Sequence, residues 1–208
     1  MLEVRNINVS DSNNASPESA ALLDGLKACT INLYETWNIL LGLFGAGEKT
    51  EVLLNETAET FFKTIYRVLM REFVFTVSAL TDPIKTAGRD NLVIGQVYQL
   101  PEVIANPTLA AEVAKLLEQV RLSTESLREY RNKYVAHLDL KKFRASDDRL
   151  TFDATNMEAA LIAIGDVLNH VDSALRNRRT MFRDEAGYGG VEILLLACLE
   201  LREGRGRK

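Results

Sequence analysis

Apolar residues recur at intervals of three and four along most of the chain, the pattern of helices that each bury one face. Ser16 followed by Pro17 reads as an N-cap and a first helical position. From there Leu22, Leu26, Cys29, Leu33, Trp37, Leu40 and Phe44 form one apolar face, and "GAGEKT" breaks it. A second helix is predicted from about Thr50 to Leu80, with Leu54, Ala58, Phe61, Phe62, Ile65, Leu69, Phe73 and Val77 inward. Asp82-Pro83 closes it, because a residue before proline is pushed out of the helical region. A shorter segment, Asp90 to Leu100, stops at Pro101, and Asn106-Pro107 opens the next helix. That helix runs into "LREYRNKYVAHLDLKK", Leu127 to Lys142.

Thr155 and Glu158 stand at capping-box spacing before the most regular pattern in the chain. Its seam is Met157, Leu161, Ile164, Leu168, Val171 and Leu175, separated by alternating fours and threes as in helix bundles. Val191 to Leu201 is apolar nearly all round, so burial is expected, within the chain or against a second subunit. No group of alternating, strand-like segments occurs; "RLTFDAT" is at most a short extended piece. The expected architecture is all-α: a bundle of long antiparallel helices with an extra C-terminal helix. It should form one domain over residues 17–203, between a polar tail at 1–16 and a basic tail at 204–208.

Composition narrows the function classes. Apolar residues at 47% and charged residues at 26% suit a folded globular domain. The net charge of −4 gives no general attraction to nucleic acid, so any such contact needs a local basic patch. Cys29 and Cys198 sit in apolar segments far apart, as expected of reduced thiols in a cytoplasmic protein. Two cysteines and two histidines without close spacing do not make a zinc site, and a set of His137, Asp139 and His170 has no recognised ligand spacing. The N-terminus lacks an apolar signal segment, and the eleven-residue run at Val191 is too short to span a bilayer, so no membrane association is expected. "GLFGAGEKT" lacks the spacing of a phosphate loop.

The stretch "RNKYVAH" carries the candidate chemistry. Arginine supplies a permanently charged fork for phosphate oxygens. Histidine, with an unperturbed pKa of ~6.5, moves protons at neutral pH. Together they suit RNA cleavage without a metal or other cofactor: the 2′-hydroxyl attacks the adjacent phosphate and leaves a 2′,3′-cyclic end. On one uninterrupted helix Arg131 and His137 would be offset by about 240° and ~9 Å. Either the helix is distorted there, or a second copy completes the site across a two-fold axis.

These residues resemble the HEPN superfamily of helical ribonucleases, whose signature is an arginine, a polar residue, and a histidine after four to six intervening positions. Arg131, Asn132 and His137 match it with a gap of five. The continuation "AHLD" and the upstream block "ALTDPIKTAGRDNLVIGQVYQL" are similar to the abortive-infection, AbiU-type branch. The resemblance implies a dimer whose motif helices form a shared RNA-cleaving cleft. In it Arg131 binds the phosphate, His137 handles the proton and Asn132 orients one or both. It also implies a toxin or phage-defence protein with an antitoxin or trigger, although some members of the superfamily are non-catalytic scaffolds that bind a protein or nucleic-acid partner.

Lys133, Tyr134, Tyr130 and Arg128 are candidate RNA contacts. For the tyrosines, stacking on bases competes with packing in the core. His170, next to the seam, reads as structural or surface. "RNRRTMFR" adds Arg176, Arg178, Arg179 and Arg183, either a solvated helix end or a rim that tracks phosphates.

Overall fold

The computed structural model describes residues 14–132, 154–187 and 189–205. The chain is an all-α bundle, as its periodicities predict. Helix α1 spans Pro17–Phe44; the Ser16 hydroxyl caps it by accepting from the Ser19 N–H at 3.2 Å. The Glu102 carboxylate secures the same end, accepting from the Ser16 N–H at 2.7 Å and the Ser19 hydroxyl at 2.8 Å. The short link through Gly45 turns the chain back into α2, Glu48–Leu80. Gly47 opens α2 at φ +95°, a conformation that favours glycine.

The expected single inward face of α2 needs correction. Its backbone leaves helical geometry at Ala58 (φ −160°, ψ 69°), which shifts the phase between the two halves. Ala58 and Phe61 are exposed, while Phe62 turns inward with Leu53 and Leu54. After α2 the chain makes a two-residue hairpin, β1 (Lys85–Thr86) against β2 (Arg89–Asp90), antiparallel. Its central residues Ala87 and Gly88 both have positive φ, the backbone a tight hairpin requires. The predicted Asp90–Leu100 segment becomes β2, a connector and a 3₁₀ helix at Ile94–Gln99.

Helix α3 (Pro101–Ile104) leads to α4, Pro107–Tyr130, capped by the Asn106 side chain. Helix α5, Ala154–Arg176, packs along α4 and α1, and every residue of its predicted seam is buried. A short α6 (Phe182–Glu185) packs on α1, where the Phe182 ring stacks on Tyr34 at 5.8 Å. The main core joins α1, the C-terminal half of α2, α4 and α5 around Phe73, Leu127 and Ile164.

Helix α7, Val191–Arg205, closes a smaller core with Leu43, Leu53, Leu54 and Phe62. It crosses α1 so closely that a Cβ on Gly42 would lie 2.8 Å from Val191. The expectation that this whole segment is buried fails within one chain. Val191 and Cys198 are buried, whereas Ile193, Leu194, Leu196 and Leu201 are exposed. A single small helix packed on two neighbours covers only one side of its apolar surface.

Candidate functional site

The final turn of α4 carries Leu127, Arg128 and Tyr130, and Arg131 and Asn132 continue into a wider, π-type turn. Leu127 is fully buried and Tyr130 half-buried against the main core, and Arg128 and Arg131 beside them are partly exposed. For Tyr130 this is the packing alternative. His137, Lys133 and Tyr134 lie outside the described residues, so the structure brings together Arg128, Arg131 and Asn132 of the predicted set.

Every guanidinium nitrogen of Arg131 is engaged. Nε and Nη2 donate to the Asn132 Oδ1 at 3.2 and 3.1 Å, and Nη1 donates to both carboxylate oxygens of Asp82 at 3.1 Å. Arg128 Nη2 lies 3.3 Å from Asp82 Oδ1. Its other amino group, Nη1, donates to the Thr81 carbonyl and to the Thr81 hydroxyl, the latter at 3.0 Å. One carboxylate thus faces two arginines, and all three side chains keep a quarter to a third of their surface in solvent.

Asp82 is a neighbour of the candidate site that the sequence alone does not reveal. "TDP" reads as the end of a helix, and it is one, but its carboxylate also crosses to the end of α4. The position is well held. Thr81 is the C-cap of α2, its hydroxyl donating to the Val77 carbonyl at 2.9 Å. Beyond Pro83, the Asn91 amide donates to the Pro83 carbonyl at 2.7 Å and to the Thr86 hydroxyl at 2.8 Å, tying the hairpin to the segment.

A family model described as AbiU2, of the HEPN class, matches residues 18–186. The chain belongs to the HEPN_AbiU2 family. No curated protein and no solved structure matches it. The AbiU2 match spans α1 through α6 and encloses the whole "RNKYVAH" stretch together with Asp82.

The remaining basic residues of this AbiU2 protein divide by burial. Arg176 is no part of a phosphate rim: its side chain is 3% exposed and pairs with Asp24 at 2.8 Å and with the fully buried Asp172. Lys27 of α1 completes that network on Asp172. Arg183 is exposed but pairs with Glu158, and Arg178 and Arg179 are exposed. His170 lies at the surface, 3.0 Å from the Glu112 carboxylate on α4, in keeping with the surface reading. No helix among the described residues is long and apolar enough to cross a membrane.

Proposed function

We propose that this AbiU2-family protein is a metal-independent endoribonuclease, a toxin or phage-defence RNase. The observation that carries the reading is Arg131 at the end of α4, aimed by Asn132 and only six positions before His137. Arg131 binds a non-bridging oxygen of the scissile phosphate and offsets the charge that builds on it. His137 takes the proton of the RNA 2′-hydroxyl, or delivers one to the departing 5′-oxygen. Asn132 fixes the plane of the guanidinium. Attack by the internal hydroxyl makes cleavage largely a matter of orientation and charge, which two side chains can supply.

Two copies, each contributing Arg131 and His137, form the site in this proposal. Support for assembly comes from the exposed apolar face of α7. The ~240° offset of a regular helix carries no weight here, because the turn at Arg131 and Asn132 is π-type. That same face favours a second reading, a non-catalytic HEPN scaffold that uses α7 to bind a protein partner. RNA cleavage in EDTA by wild type, Arg131→Ala and His137→Ala separates the two: an enzyme loses activity in both variants, and a scaffold shows none in any.

A further inference from the structure

Arg128 and Arg131 are three residues apart on α4 and therefore share a face of its last turn. That turn is the negative end of the helix dipole, where an anion is stable only if cations outweigh the free carbonyls. Both arginines supply that excess, and they converge on a single carboxylate. The contrast with Arg176 is informative. There one arginine meets two carboxylates, Asp24 and Asp172, and is sealed from solvent; here two arginines meet one carboxylate, and all remain accessible.

Each arginine has a partner besides Asp82. Arg128 is held from behind by the Thr81 carbonyl and hydroxyl, and Arg131 by Asn132. Asp82 occupies only the edges that the two forks turn toward each other. A carboxylate there presents two acceptor oxygens much as a phosphate does to an arginine fork. Beside it opens a cavity of about 390 Å³, lined by Asp82 and Arg128 themselves together with Thr81, Ile94, Gly95 and Leu117. Its size falls in the ~300–1,000 Å³ range of small-ligand sites. It gives a phosphate-bearing ligand room for a neighbouring group.

We infer that Arg128 and Arg131 form a two-arginine phosphate clamp, in which Asp82 is an internal carboxylate that the ligand's phosphate displaces. The clamp rests on the ribonuclease reading only for the identity of its natural ligand, an RNA phosphodiester.

The test is binding by the full chain to a short fluorescent 2′-deoxy oligonucleotide, which has no 2′-hydroxyl to react, followed by anisotropy. A parallel arm uses inorganic phosphate, followed by calorimetry. Asp82→Asn keeps the shape and raises the net charge of the clamp by one, so the account expects about tenfold tighter binding with a steeper salt dependence. Adding Arg128→Ala should abolish that gain. A gain in the oligonucleotide arm identifies a nucleic-acid phosphodiester, and a gain with inorganic phosphate alone identifies a free phosphate. Unchanged or weaker binding in both arms, with an unaltered melting curve, overturns the clamp. Should Asp82→Asn fail to fold, Arg128→Ala alone decides: weaker binding supports the clamp and wild-type binding overturns it. Cleavage is not part of this readout, so an Asp82→Asn gain in a protein that cuts no RNA leaves the clamp standing while the ribonuclease reading falls.

Discussion

Arg131 donates from one nitrogen to both carboxylate oxygens of Asp82 at 3.1 Å, across 49 positions of sequence. The contact joins the end of α2 to the end of α4 at the start of the motif. Because both groups are partly exposed, the pair adds little to stability, about 1 kcal/mol or less. Arg131→Ala should therefore keep the wild-type helical content and melt within a few degrees of it by circular dichroism. Activity lost in that variant would then report on chemistry rather than on unfolding.

The buried network of Lys27, Asp172 and Arg176 should behave in the opposite way. Asp172 has no solvent exposure and faces two cations. Removing it takes the carboxylate from Lys27 and leaves the buried Arg176 with Asp24 alone, a change that costs about 3–5 kcal/mol. Asp172→Ala is expected to lower the urea midpoint strongly with little change in slope. A midpoint close to wild type would show that water reaches Arg176.

Acid should loosen the same region and the start of α1. The hydrogen bond from Arg176, with further attraction from nearby cations, holds the Asp24 carboxyl below its ordinary value. Partial burial pushes Glu102 up, but hydrogen bonds from the Ser16 and Glu102 backbone N–H groups and the Ser19 hydroxyl outweigh it and leave its carboxyl lowered. A carboxylate depressed in the folded state stabilises fully above its unfolded pKa, about 4, and loses that contribution as pH falls through the folded value. The melting temperature should hold near neutrality and fall below about pH 5. In Glu102→Gln the fall should be shallower, from a lower starting point; an identical acid slope would remove Glu102 from the account.

Ser78 offers a stabilising change. Its hydroxyl is fully buried with no hydrogen-bond partner among the described residues, and its helix packs in the main core. An unsatisfied buried polar group costs about 1–3 kcal/mol, so Ser78→Ala should raise the melting temperature by roughly 2–12 °C. A lower melting temperature would mean that the hydroxyl makes a bond to bound water.

Legibility in the sequence followed locality. The seam of α5 was readable because Met157 to Leu175 keep one phase throughout, and all of them are buried. Ser16-Pro17 and Asn106-Pro107 marked helix starts because capping is a matter of adjacent residues. Phe61 was misplaced because it was grouped with Phe62: at about 100° per residue Phe62 keeps the phase of Phe73, whereas Phe61 lies about 120° from it. The outward face of α7 could not be placed from sequence: composition shows that a helix is apolar, and only packing shows how much of it its neighbours in the chain reach. Asp82 was visible as a helix stop, but its pairing with Arg128 and Arg131 is set by how two distant helix ends meet.

The exposed face of α7 bears on assembly. Light scattering at micromolar concentration should give twice the 23.3 kDa chain mass. Ile193→Glu with Leu196→Glu, both at exposed positions, should leave the melting of the chain nearly unchanged. If α7 lies in the dimer interface, that double variant is monomeric; a dimer of undiminished affinity places the interface elsewhere.

Cleavage of RNA in EDTA by wild type, Arg131→Ala and His137→Ala tests the central claim most directly. The account predicts that wild type cuts and leaves 2′,3′-cyclic phosphate ends. Each substitution should lower the rate by about 10²–10⁴, with folding intact. Equal cutting by all three proteins, or none by any, would contradict the assignment of Arg131 and His137 as the reacting pair.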